Sequence, residues 1–237
     1  MKKIAIIAAF ALALCAFTLS AQATTIIDFT VPGNNPTGAV SYDGGAASAL
    51  STFFDAAQHP ITISQVETLL PSSGPFTVTD GQLTFTSGAF DAVLSDPEHW
   101  GFGAGGSITL TGSVTIGSNT FTGTILTGSF TQMLVSKPDP TTGANVMVAN
   151  FTDTKDKDFL ALFGLSPDQV SAFGNFNIGL QLNLVNGVYP IPDEAFSSLL
   201  VTSGDVKNNP IPLPPSMVLL GSGLLALVGF GIRRRQG

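Results

Sequence analysis

Cysteine is almost missing from this chain. The single one, Cys15, sits in an apolar run near the N-terminus. Once that run is removed, no disulfide and no cysteine metal ligand remains, and cysteine-dependent catalysis is excluded. Charge is scarce as well, at 11% of residues against about a quarter in ordinary domains. Basic residues are the scarcest charge, nine against sixteen acids. Five of the nine are terminal: Lys2, Lys3, Arg233, Arg234 and Arg235. All sixteen acids lie between Asp28 and Asp205, where only Lys137, Lys155, Lys157 and Lys207 oppose them. That body carries a net charge of about −12 at neutral pH. It should repel nucleic acid phosphates and anionic lipid, so no nucleic-acid partner is expected.

Histidine is limited to His59 and His99, and tryptophan to Trp100. The one Gly-Ser-Gly, Gly221-Ser222-Gly223, falls inside a C-terminal apolar run, so the body holds no nucleophile elbow. Ser-His catalysis therefore has few candidates. A carboxylate-pair glycosidase stays open, because the separation of two carboxyls is invisible in a sequence. The balance favours a protein that is not an enzyme. No cofactor is expected. Asp28, Asp43 and Asp55 could offer oxygens to calcium only in three dimensions, and nothing local argues for it.

Glycine, threonine and serine are abundant, and the hydrophobic fraction is 44%. Periodicity in the body is mostly two. In "GGSITLTGSVTIGSNTFTGTILTGSF", Ile108, Leu110, Val114 and Ile116 alternate with hydroxyl residues. A turn at Gly117-Ser118-Asn119 follows, then alternation through Phe121 and Ile125. This predicts a β-hairpin with one buried face, and a phase shift predicts a bulge near Thr127. "PFTVTDGQLTFTSGAF" predicts a second hairpin turning at Asp80-Gly81. Residues 146–151 and 176–184 are further strand candidates. "SPDQVSAFG" carries helix-start signals at Ser166, Pro167 and Gln169, with Gly174 as a stop; residues 159–163 add a turn before it, and 46–57 could form a short helix. The expected fold is all-β: an antiparallel β-sandwich or jelly roll over residues 24–202, with one or two short helices. Residues 203–215, rich in Asn and Pro, are expected to be a tether.

The chemistry-bearing clusters are few. "SDPEHW" gathers Asp96, Glu98, His99 and Trp100. An aromatic face beside carboxylates could contact a sugar ring, giving a possible glycan site at Trp100, Glu98 and Asp96; the plainer reading is an acidic turn whose Trp packs on the core. "DTKDKD" offers Asp153, Asp156 and Asp158, but Lys155 and Lys157 interrupt and no Gly follows as a calcium loop needs, so a solvated turn is expected. "GFGAGG" matches the dinucleotide fingerprint formally, yet a strand rather than a helix is expected after it.

The two ends carry an address. Lys2 and Lys3 precede an apolar stretch over residues 4–19, and Ala21 and Ala23 stand where a signal peptidase reads small residues. This predicts a leader over residues 1–23, handled by the secretion machinery. At the other end, residues 216–232 carry no charge. As a helix they would span roughly 25 Å, the low edge for crossing a bilayer. Pro210, Pro212, Pro214 and Pro215 precede the run, and Arg233, Arg234 and Arg235 follow it. Prolines keep the preceding segment extended, and the arginines should remain cytoplasmic over residues 233–237.

Pro212-Leu213-Pro214, the apolar run and the arginine cluster together resemble the PEP-CTERM sorting signal of exported bacterial proteins. Leu213 stands where the named motif has Glu, closer to variant tails reading Val-Pro-Leu-Pro-Ala. The resemblance covers only the last 28 or so residues. It implies recognition by an exosortase, a membrane-embedded cysteine transpeptidase or protease. Cleavage would fall near the prolines and release the body to the cell surface or the exopolysaccharide matrix of a biofilm. A permanent type I membrane anchor is the unprocessed alternative, and a carbohydrate-binding or glycan-active body is the other.

Overall fold

The alternation of apolar and hydroxyl residues produces strands whose inward positions are buried almost without exception. The computed structural model describes residues 27–33, 37–53, 59–68 and 75–208. The strands are β1 (Ile27–Val31), β2 (Ala39–Tyr42), β3 (Ala49–Phe53), β4 (Ile61–Thr68), β5 (Phe76–Ala89) and β6 (His99–Phe102). They continue with β7 (Gly105–Ile116), β8 (Asn119–Ser136), β9 (Ala144–Lys155), β10 (Phe173–Leu182) and β11 (Phe196–Asn208). Between β9 and β10 lie a six-residue helix, α1 (Lys157–Leu162), and a single 3-10 turn, Pro167–Gln169.

The expected sandwich is replaced by a closed antiparallel barrel. Its circuit runs β1–β4–β5–β7–β8–β9–β10–β11 and returns to β1. Closure rests on β1, where Ile27 pairs with Thr68 of β4 on one side and with Asn208 of β11 on the other. The long strands β5 and β11 change partners midway. Their other halves are bridged by the β2–β3 ribbon, through Phe196↔Tyr42 and Ala49↔Ala89. The short β6 covers the last part of β8. Alternation shows which face of a strand is buried, but not which edges meet, so a sandwich and a barrel look alike in sequence.

Eight strands leave an interior just wide enough for side chains. Here aromatic rings fill it. Phe85, Phe130, Phe151 and Phe176 are buried and meet mostly edge to face or tilted, with centroids 5.4–6.5 Å apart. Such pairs add to the burial gained by each ring. One mouth is stoppered by α1. Asp156 caps the helix through its carboxylate, which accepts from the amides of Asp158 and Phe159. Phe159 then packs against Phe29, Phe121 and Phe163.

Several local expectations change. The β7–β8 hairpin stands as expected, turning at Gly117 with a left-handed φ of 61°. Its bulge lies at Ile125, two residues before Thr127, because Leu110 faces Leu126 while Thr111 faces Thr124. Asp80-Gly81 is no turn. Both lie inside the continuous β5, where Asp80 takes a φ of 51° and the registers with β4 and β7 slip. The helix expected from Ser166 is reduced to the 3-10 turn, and Gly174 lies in β10. Residues 49–53 of the expected 46–57 helix form β3. Residues 203–208 of the expected tether belong to β11, which runs to Asn208; Val206 and Asn208 point inward and continue the alternation, and residues 209–215 lie outside the described residues. Among the described residues no helix is long and apolar enough to cross a membrane. The apolar run expected to do so, residues 216–232, lies outside the described residues.

Candidate functional site

Three long connections gather at the mouth opposite α1: residues 90–98, 137–143 and 183–195. Each is shaped by short-range hydrogen bonds. Asp91 accepts from the Val93 amide at 2.8 Å and Asp96 from the Glu98 amide at 2.8 Å. Asp139 accepts from the amides of Thr141 and Thr142 at 2.9 and 2.8 Å. These donors favour the ionised form, so the carboxyls of Asp96 and Asp139 lie below the ordinary carboxylate range. The Glu98 and Lys137 side chains approach to 3.6 Å and tie two of the loops together.

Between the loops run two open grooves of roughly 300 and 470 Å³ that share Lys137 and Ile191. The first is apolar and rich in proline, lined by Pro138, Pro140, Leu184, Val188, Tyr189 and Pro190. Val188 is 64% exposed and Leu184 56%, high for side chains of this kind. Gly143 makes room for the Tyr189 ring, since a Cβ there would stand 2.3 Å from it. The second groove is acidic, with Asp96 and Asp193 at its border.

The expected glycan site comes apart here. Asp96 and Glu98 are exposed on this rim, but Trp100 is fully buried. Its ring packs against Phe196 with centroids 4.8 Å apart, and its Nε1 donates to the Glu194 carbonyl at 2.9 Å. A ring with both faces covered cannot stack on a sugar, so Trp100 pins the 183–195 loop to the barrel instead. "GFGAGG" joins β6 to β7, two strands, which is not the strand-to-helix setting of a dinucleotide site.

Comparison with protein-family models, with curated proteins and with solved structures gives no match.

At the stoppered mouth the structure holds a group that sequence reasoning missed. Asp153 and Lys155 are inward on β9, with side chains 0% and 1% exposed. Lys155 Nζ donates to Asp153 Oδ2 at 2.8 Å and to the Ser171 carbonyl at 3.2 Å. The other carboxylate oxygen, Oδ1, accepts from Asn208 Nδ2 at 2.9 Å. The "DTKDKD" stretch is thus not a solvated turn up to Lys155. Met147, Ala149 and Phe151 set a phase of two, and the same phase carries Asp153 and Lys155 inward. Among the described residues no group of three or more His, Cys, Asp or Glu side chains is placed to hold a metal. The calcium candidates are scattered: Asp28 pairs with Lys207, Asp43 lies in the β2–β3 connection, and Asp55 lies outside the described residues. Ala21, Ala23, Pro212, Leu213, Pro214, Arg233, Arg234 and Arg235 also lie outside them.

Proposed function

We propose that this is an exported, non-enzymatic protein of a bacterial surface or extracellular matrix, sorted by its C-terminal tail. The carrying observation is the order of three elements at that end: the proline motif at Pro212 and Pro214, the uncharged run 216–232, and Arg233, Arg234 and Arg235. In this reading the leader ends at Ala23, an exosortase-like enzyme cuts near the prolines, and the body joins the exopolysaccharide. The placement of the strands suits such processing. Every described strand lies between Ile27 and Asn208, so both expected cuts fall outside the described strands.

A second reading keeps glycan recognition but moves it. The rim carries Tyr189 in one groove and the exposed carboxylates of Asp96 and Asp193 in the other, the two sharing Lys137 and Ile191; a polyhydroxyl ligand spanning both would meet a ring and hydrogen-bond acceptors. Tyr189→Ala should then lower retention on the exopolysaccharide, whereas Trp100 acts only through the fold.

The sorting reading is tested by the intact mass of the protein from its native host, with membrane and released fractions separated. The expected species is released, begins at Thr24 and ends within residues 210–215. A membrane-bound chain that still carries Arg233, Arg234 and Arg235 would make the tail a permanent anchor. Replacing Pro212 and Pro214 together should leave unprocessed chain in the membrane fraction; unchanged release would remove the proline motif from the argument.

A further inference from the structure

Fully buried lysine and aspartate are rare and need a reason. Asp153 of β9 holds two groups at once on its two oxygens: Lys155 Nζ at 2.8 Å and Asn208 Nδ2 at 2.9 Å. Asn208 is the last residue of the last described strand and is itself 0% exposed. Its carbonyl oxygen, Oδ1, is buried without a hydrogen-bond partner. The residue between the two strands is Gly174 of β10, which pairs with Phe151 on one side and Asn208 on the other. A Cβ there would stand 2.4 Å from the Phe151 ring and 2.9 Å from the Lys207 carbonyl. Glycine lets β9 and β11 side chains meet across β10. An amine, a carboxamide and a carboxyl are thereby confined together, away from water; their other partners are two backbone carbonyls, Ser171 for Lys155 Nζ at 3.2 Å and Phe173 for Asn208 Nδ2 at 3.4 Å.

We propose that Lys155 and Asn208 are joined by an intramolecular isopeptide bond, formed by the folded chain itself with Asp153 as proton carrier. The neutral Lys155 amine attacks Cγ of Asn208. Protonated Asp153 donates to the carboxamide oxygen, which a half-turn of the amide places where Nδ2 now sits. The tetrahedral adduct then collapses. The Nζ–Cγ bond is made, the Cγ–Nδ2 bond is broken, and the nitrogen leaves as ammonia with a proton passed on from Nζ through Asp153. Amine plus carboxamide gives amide plus ammonia, so atoms balance, no oxidant or reductant is needed, and Asp153 is regenerated.

Burial supports the protonation states this requires. Desolvation pushes the Asp153 carboxyl up and the Lys155 ammonium down, each opposed by the charge of the other. Both shifts favour the pair of neutral groups that can react. Confinement replaces a bimolecular encounter by a rotation inside one hydrogen-bonded cluster. The product would rivet β9 to β11 at the mouth where the chain leaves the barrel toward its C-terminus. It would protect that strand against pulling or proteolysis whether or not the tail is a sorting signal.

The test uses the full chain, shown to be folded by the buried emission of Trp100 and a cooperative melt. The protein is then denatured and digested with a protease that cuts before aspartate. Cuts at Asp153, Asp156 and Asp205 should release residues 153–155 as a three-residue branch on the peptide that starts at Asp205. The branched species should be lighter by one ammonia than its two parts. Linear peptides alone would overturn the proposal. So would loss of ammonia on an unbranched Asn208 peptide, which marks a succinimide at Asn208-Asn209. Lys155→Arg keeps the cation but not the nucleophile, and should give no branch. Asp153→Ala should lose it too; full branching in that variant would remove Asp153 from the chemistry.

Discussion

Asp28 shows how one side chain can weaken the barrel that it decorates. It lies on β1 with Oδ2 3.6 Å from Lys207 Nζ, while Oδ1 is buried without a partner. Burial pushes its carboxyl above the ordinary value; Lys207 draws it back, and the nearby Asp205 and Glu67 push it up again. The folded state therefore holds its proton to higher pH than the unfolded chain does. In the window between the unfolded and folded values the folded state binds more protons, so stability falls as pH rises through it. At neutral pH ionised Asp28 is a net cost. Asp28→Asn should raise Tm at pH 7 by roughly 1–2 °C, a fraction of a kcal/mol spread over a chain of this size. The gain should vanish once pH drops below the ordinary carboxylate range, where both states are protonated. Thermal melts of the two proteins across pH check this, and a lower Tm for the variant at pH 7 would mean that the Lys207 pairing outweighs burial.

At the scale of elements, the helix α1 is six residues long and could not persist alone. What holds it is a cap and a ring. Asp156→Ala removes the cap and should cost about 1 kcal/mol. Phe159→Ala empties the space between Phe29, Phe121 and Phe163 and should cost about 3–5 kcal/mol. Denaturant titrations would separate the two; equal losses would show that the cap holds the helix as strongly as the ring does. The same element marks how far sequence reasoning reaches. The hairpin of β7 and β8 was legible because alternation and a glycine turn coincide within a few residues. The β9 and β10 strands were legible only in part: the expected 146–151 lies inside Ala144–Lys155, and the expected 176–184 overruns Phe173–Leu182 by two residues. Asp80-Gly81 misled because a left-handed residue serves a bulge as readily as a turn, and only the partners β4 and β7 decide between them. Asp153, Lys155 and Asn208 escape a reading of the sequence because charge and amide ordinarily mark solvent-facing positions. The phase set by Met147, Ala149, Phe151 and Val206 already pointed all three inward.

For the molecule as a whole, what was illegible is closure. No local pattern tells β1 that its neighbour is β11, although every ring in the interior depends on that pairing. It joins the start of the described body to its end, so the barrel cannot close until the whole body is present. Contacts of this kind also make folding slow, because the entropy of closing long loops comes before the reward. Trp100 reports the event cleanly: it is the single tryptophan, fully buried and bonded to the Glu194 carbonyl beside β11. After dilution from denaturant, its emission should move to the buried value over milliseconds to seconds, the range of β-rich folds dominated by distant pairings. A shift complete within microseconds would mean that the environment of Trp100 forms before the barrel closes. The 183–195 loop and Phe196 would then dock on a partial sheet, ahead of the pairing of residues 204–208 with β1 that closes the barrel.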